Sequence, residues 1–401
     1  MNFYPHIVTY LKKHWLAVAL GLCVGVMVVA PWAYFALHEP SYRGIALYGE
    51  ASEEYYTARV REVYDGDPFI RNLYTPFKDV PYLQTSLGEM LVAYGGMLLH
   101  LSASGAIVAS KFFFPLLATL CIYTLVFLIT RSRGSALLAP AAVIFGVGLL
   151  STPKNIFPFL QGIGVEDGLF WGRPINPEVS GVLLFAILAM IFHLYFRKVS
   201  PRPWHALALG ILIGVTLYVS VFTWAFVGVL LLVLSSYALI QKRWRDLLHL
   251  CATGSIALIS ATPFILNLLH ARTFASYANV AMQQGVAPLH TPELGVWLIA
   301  LPLLPVLWWP KQYRGGRSFF ILTGLALLLT ANQQILTGIY EQPWHFHSYI
   351  TKPLALTLLT IYAGFWLERI HNKWVRVEFF AAAIIGLFAY AALAQVHFYD
   401  L

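Results

Sequence analysis

Two stretches of this chain have the composition of a reacting site. The first reads Glu50-Ala-Ser-Glu53-Glu54-Tyr55-Tyr56-Thr-Ala-Arg59-Val-Arg61-Glu62-Val-Tyr64-Asp65-Gly66-Asp67-Pro68. Glu53 to Tyr64 reads as a helix that Gly66-Asp67-Pro68 ends. Its carboxylates, flanked by tyrosines, suit a general base that takes a proton from a hydroxyl. The same pattern also suits a solvated amphipathic helix laced with i,i+4 ion pairs. The second stretch runs from Asn332 through Gln333, Gln334, Tyr340, Glu341, Trp344, His345 and His347 to Tyr349. Amides, a carboxylate and aromatic rings so close together suit a sugar, whose ring has apolar faces and hydroxyl edges. Some of those aromatics would also occur in an interfacial belt. His345-Phe-His347 could supply two ligands to a divalent metal, or simply be hydrogen-bonded surface histidines; no other cofactor is expected.

Cations accompany these groups. Arg173 stands in Glu166-Asp167-Gly-Leu-Phe-Trp171-Gly-Arg173-Pro174-Ile-Asn176-Pro177-Glu178, directly before an apolar run. An arginine beside a helix N-terminus attracts a phosphate, and Glu166 or Asp167 could equally pair with it. Lys111 and Lys352 lie at the ends of apolar runs, where a lysine snorkels to the surface or meets a lipid phosphate at headgroup level.

The elements that must hold these residues are apolar helices. Hydrophobic residues make up 59% and charged residues 11% of the 401 residues, and mean hydropathy is +0.69. A soluble domain carries about 25% charged residues, so the chain is an integral membrane protein. Apolar runs long enough to cross a bilayer fall near 15–37, 105–130, 135–151, 179–196, 205–219, 221–240, 247–269, 292–310, 318–331, 350–367 and 377–396. The apolar stretch 205–240 is too long for one helix and divides near Ser220. The first run follows Lys12-Lys13 and exceeds the 7–15 residues of a signal-peptide core, so it is expected to remain as a span. The segment Gln84–Leu101 is expected to lie in the interface as a juxtamembrane helix.

Charge sorts the connections into two sets. Short turns hold 16 of the 26 basic residues, and the longer segments 38–104, 152–178, 270–291 and 332–349, with Glu293 just beyond the third and the C-terminus, hold 15 of the 18 acidic ones. The positive-inside rule places the basic set, and the N-terminus with it, in the cytoplasm. The C-terminus then falls outside, and the acid-rich segments face a compartment without nucleotide-activated donors. No Gly-rich phosphate loop occurs. The net charge of +8 belongs to those turns, where it meets anionic lipid, and does not indicate nucleic acid. Cys23, Cys121 and Cys251 lie singly in apolar runs, which argues against disulfides and thiolate metal sites. The expected fold is all-α and polytopic, one membrane domain over 1–401 with about eleven spans, juxtamembrane helices in the first outer loop 38–104, and a last long outer loop 332–349.

At these residues the chain resembles the GT-C superfamily of membrane glycosyltransferases, which use polyprenyl-phosphate-linked sugars. Those enzymes begin with a cytoplasmic N-terminus and one span. An acidic motif, commonly Asp-Glu-x-x-Tyr, follows in the first outer loop, and then juxtamembrane helices. Ser52-Glu53-Glu54-Tyr55-Tyr56-Thr-Ala-Arg59 holds that place here. Arg173-Pro-Ile-Asn-Pro and Gln333-Gln334-Ile-Leu-Thr-Gly also resemble segments of bacterial members. With Tyr56 as the motif tyrosine, the leading Asp falls on Ser52 and the Glu on Glu53. Glu53 or Glu54 must then act as the base, or Asp65 or Asp67 must approach.

The resemblance implies an inverting transfer of a hexosyl or pentosyl group to an acceptor hydroxyl on the outer face of a bacterial inner membrane. The lipid phosphate would lie near Arg173, Lys352, Arg272 or Lys111. Tyr56, Gln333, Gln334, Trp344, His345 and His347 would surround sugar or acceptor. A transporter or flippase is the main rival. It would call for inverted repeats and charges at mid-depth, and neither is evident. A non-catalytic membrane scaffold is the third reading, and it would tolerate loss of both glutamates.

Overall fold

The computed structural model describes residues 4–42, 53–71, 81–82, 85–148, 161, 169–197, 199–283, 285–313 and 315–399. The chain is an all-α, polytopic membrane protein. Its principal helices are α1 Tyr4–His38, α2 Glu53–Tyr64, α3 Leu87–Leu98, α4 Ala103–Thr130, α5 Arg133–Phe145, α6 Glu178–Ile191, α7 Pro203–Thr216, α8 Val221–Ile240, α9 Trp244–Ala271, α10 Tyr277–Gln283, α11 Val296–Leu307, α12 Gly316–Ala331, α13 Lys352–Glu368 and α14 Lys373–Phe398. Two three-residue strands, β1 Val286–Pro288 and β2 Ile339–Glu341, pair antiparallel with Ala287 opposite Tyr340.

Each of the eleven expected spans coincides with one of these helices, and among the described residues eight are long and apolar enough to cross a bilayer. His14 leaves helical geometry (φ −118°, ψ 21°) just before the apolar run of α1 begins. Ser220 caps α8 by accepting from the Thr223 amide at 3.4 Å, which divides the long apolar stretch where expected. The runs 135–151, 205–219 and 292–310 form shorter helices. Gly146 caps α5, α7 gives way to a turn after Thr216, and α11 contains Pro302 and Pro305. At 1.5 Å per residue such helices cover about 20 Å of a hydrocarbon core of about 30 Å.

Apolar side chains also cover the outside of the bundle. Leu248, Ile259 and Ile385 are 71%, 71% and 67% exposed, as suits helices that face lipid rather than water. Polar contacts between segments fall at two ends. At one end Arg243 donates to Tyr195 O at 3.1 Å, and His249 Nε2 meets Arg202 O at 3.2 Å. At the other, the Leu87 amide donates to Tyr218 O at 3.0 Å, Asn267 to Tyr82 O at 2.6 Å, and the Glu293 amide to Asn332 Oδ1 at 2.7 Å. The basic turns thus gather at one end of the bundle, and the described acid-rich segments at the other.

Candidate active site

Helix α2 lies across the acid-rich end. Tyr56, Val60 and Val63 form its inward stripe and pack with Val92, Ala106 and Ile107 from α3 and α4. Gly96 permits that closeness, since a Cβ there would strike the Tyr64 hydroxyl and Ala106. The same inward face carries Arg59. Its Nε donates to Glu89 Oε1 at 2.5 Å, and its other nitrogens to Thr85 O at 2.9 Å and the Tyr55 hydroxyl at 3.3 Å. The pair is buried and ties α2 to α3.

The first turn of α2 separates the two candidate bases. Glu54 is exposed. Glu53 is fully buried, with Oε1 2.8 Å from Lys111 Nζ, itself fully buried on α4. Lys111 also lies 4.2 Å from the centre of the Trp32 indole and donates to the Gly172 carbonyl. The expected snorkelling of Lys111 is therefore corrected, because a buried carboxylate, a carbonyl and an aromatic face hold its amine inside the protein.

A second carboxylate joins this pair. Glu178, the first residue of α6, is fully buried and accepts from Ser110 Oγ at 3.1 Å. Its other oxygen has no hydrogen-bond partner among the described residues, and the same holds for the indole nitrogens of Trp32 and Trp171 and for Arg173 Nε. Buried polar groups rarely go unpaired, so this collection marks a place built for something other than stability. The sequence showed Glu178 only as a loop end. Its signal was a carboxylate set against the start of an apolar run.

The Trp171-Gly-Arg173 turn is fixed against α6. The Trp171 ring lies so close to Gly181 that a Cβ there would collide with it. Ile175, β-branched and buried, is held at φ +64°, a left-handed conformation that costs about 1–3 kcal/mol unless packing imposes it. Arg173 emerges from this turn near two other segments. Burial pushes the Tyr56 phenol pKa up, and the positive charge of Arg173 acts against that rise. The same charge acts on His345, whose ring stacks on Phe222 at 4.9 Å and meets Tyr349 at 5.0 Å. The Arg173 charge thus reaches Tyr56 on α2 and His345 in the last outer loop.

The remaining candidates lie elsewhere or are already engaged. Gln333 donates to Ile339 O and accepts from Thr337 Oγ1, both at 2.7 Å. Gln334 is buried and donates to Thr291 O at 3.0 Å. Both amides brace the last outer loop. Trp344 is exposed, with Lys352 Nζ 4.6 Å from its ring centre. His347 Nε2 lies 3.8 Å from Glu293 Oε2, so the two histidines face different neighbours. Among the described residues no group of three potential ligands could hold a metal ion. Arg272 is exposed at the end of α9. Ser52, Glu166 and Asp167 lie outside the described residues.

No family model matches the chain, and no curated protein sequence matches it. Solved structures do. ArnT from Cupriavidus metallidurans bound to undecaprenyl phosphate is similar over 97% of this chain and 76% of that one, at 17% identity and a TM-score of 0.49. The apo state of the same protein is similar over 86% and 70%, at 17% identity and a TM-score of 0.43.

Proposed function

We propose that this protein is a membrane glycosyltransferase that moves a sugar from a polyprenyl-phosphate donor to an acceptor hydroxyl, with inversion, at the acid-rich end. Glu53 is the general base. Of the α2 carboxylates it is the one buried in the protein, and that single observation carries the reading. Lys111 fixes one of its oxygens, so the carboxylate keeps its aim while α2 stays docked. The acceptor hydroxyl gives its proton to Glu53 as its oxygen attacks the anomeric carbon. The bond from that carbon to the phosphate oxygen breaks, and the lipid phosphate leaves with the electron pair.

Negative charge grows on the departing phosphate. Arg173 and the N-terminus of α6 meet it there, and fixed charges and dipoles of this kind stabilise a transition state more than flexible water does. Lys352 lies farther out and binds the donor as it arrives. Tyr56 and His345, both within reach of the Arg173 charge, border the sugar. The basic turns lie in the cytoplasm of a bacterial inner membrane, and the site faces the periplasm.

The test is release of sugar from a labelled polyprenyl-phosphate sugar by membranes that contain equal amounts of each variant. Glu53→Gln should lower the rate by about 10²–10⁴-fold, the usual contribution of a general base. Glu54→Gln should leave it nearly unchanged. Equal losses in both variants would overturn the assignment of the base. No release from any such donor, with native protein in the membrane, would return the transporter and scaffold readings.

A further inference from the structure

The opposite, basic end carries a site of different chemistry. A cavity of about 400 Å³ opens beside the end of α11, lined by Trp308, Trp309, Lys311, Tyr313 and Arg317. Its walls are set by hydrogen bonds. Trp309 Nε1 donates to Tyr313 O at 2.8 Å, and Tyr362 donates to Trp308 O at 2.7 Å. Arg317 donates to Pro305 O at 3.0 Å and Val306 O at 2.9 Å, two carbonyls near the end of the proline-interrupted helix α11. Those bonds fix the guanidinium at the rim without cancelling its charge.

A shelf of rings continues outward from the cavity. Trp308 stacks on Trp366 at 5.7 Å, and Arg369 lies 4.3 Å from the Trp366 ring centre and 4.4 Å from that of Phe365. Two cations therefore line the cavity, and a third, Arg369, stands on the ring shelf beside it. The Glu368 carboxylate at its wall accepts the Tyr313 hydroxyl at 2.7 Å. On α11, Leu303 and Leu307 are 45% and 71% exposed, so an apolar outer face runs along that helix from the cavity.

We propose that this cavity binds the phosphate of an anionic phospholipid. Lys311, Arg317 and Arg369 take the headgroup, the Trp308 and Trp366 rings support its glycerol, and the acyl chains lie on the exposed face of α11. A free anion would use the cations but has no need of that apolar face, so the lipid is the occupant that accounts for both. The site is independent of the transfer reaction, because it stands at the other end of the bundle.

The experiment is native mass spectrometry of the purified full chain, released from detergent with phosphatidylglycerol or phosphatidylcholine added. The native chain should retain phosphatidylglycerol in preference to phosphatidylcholine. Each cation near an anionic lipid surface contributes about fivefold to binding, so Lys311→Gln/Arg369→Gln should lower retention by about 25-fold. Lys12→Gln/Lys13→Gln removes the same charge from exposed positions on α1 and should change little. Trp366→Leu keeps every charge and should cost about two- to fivefold, the loss of an exposed cation–π shelf. Equal losses in both charge variants, an unchanged Trp366→Leu protein, or displacement of the lipid by millimolar inorganic phosphate would each overturn the proposal.

Discussion

Helix α2 makes two buried ion pairs, and they differ in what surrounds them. Arg59 and Glu89, at 3% and 4% exposure, form a closed unit. The guanidinium also satisfies a backbone carbonyl and the Tyr55 hydroxyl, and the partners belong to adjacent helices of the same outer loop. Glu53 and Lys111 lie deeper, at zero exposure. Around them are a second carboxylate and several buried polar atoms without partners among the described residues. Removing two charges from water costs several kcal/mol per ion, and their attraction often only repays it. A pair completed by hydrogen bonds is what a clamp requires. A pair set among unfinished polar groups spends stability on something else, and that contrast separates the structural half of α2 from the half proposed to react.

Replacing each pair with apolar residues breaks the comparison most sharply. Glu53→Leu/Lys111→Met removes both charges together and should leave a folded protein. Sugar release should fall by at least about 10²-fold, the low end for loss of a general base. Arg59→Met/Glu89→Leu should fold equally well and release sugar within a few-fold of the native rate. Loss of release in both proteins would mean that the two pairs do one job. Retention in both would remove Glu53 from the chemistry.

Next in size is the effect of breaking the clamp on one side. Arg59→Met leaves Glu89 buried without its cation, which costs about 3–5 kcal/mol where a buried pair is halved. Thermal unfolding in detergent should show that loss in the single variant and recover most of it in the double one. Similar melting of single and double variants would mean that Arg59 acts through packing rather than through its charge.

These contrasts also show what was legible in the sequence. Apolar runs located a helix at each of the eleven expected places, eight of them long and apolar enough to cross a bilayer, because burial in lipid is written in composition, residue by residue. The C-terminal end of α2 came from its breaker residues, Gly66-Asp67-Pro68. Periodicity puts Glu53 and Tyr56 on one face of α2 but does not name the helix opposite. Lys111 therefore read as a lysine near a membrane surface, when it lies beneath α2. Glu178 and Ser110 were invisible for the same reason: each becomes polar machinery only when the second turn of α4 meets the first turn of α6. Gln333 and Gln334 read as open hydrogen-bonding edges, yet backbone carbonyls take up both amides, Ile339 O of the same loop and Thr291 O just before α11.

A smaller effect comes from the ring against Arg59. Burial pushes the Tyr55 phenol up to about 12, with the charge of Arg59 working against the rise. The folded value lies above the ordinary value of about 10. Stability from this group is therefore complete below pH 10 and lost as pH rises toward 12. Tyr55→Phe should flatten the fall of stability with pH across that window and leave the neutral range alone. An unchanged slope would mean that Tyr55 is open to solvent, and the clamp looser than its hydrogen bonds suggest.

The smallest expected effect belongs to a third ion pair on the same helix. Arg61 and Asp65 meet at 2.9 Å but are 66% and 55% exposed, one turn apart. Water screens such pairs, and they contribute about 0–1 kcal/mol. Asp65→Asn should shift melting by no more than that, with sugar release unchanged, and so should Asp67→Asn in the exposed turn that follows. These two carboxylates are the further alternatives for the base expected from the sequence, beside Glu54. A large loss of release in either would move the base from the buried end of α2 to its exposed end. Glu53 would then hold Lys111 in place, and both buried pairs would be clamps.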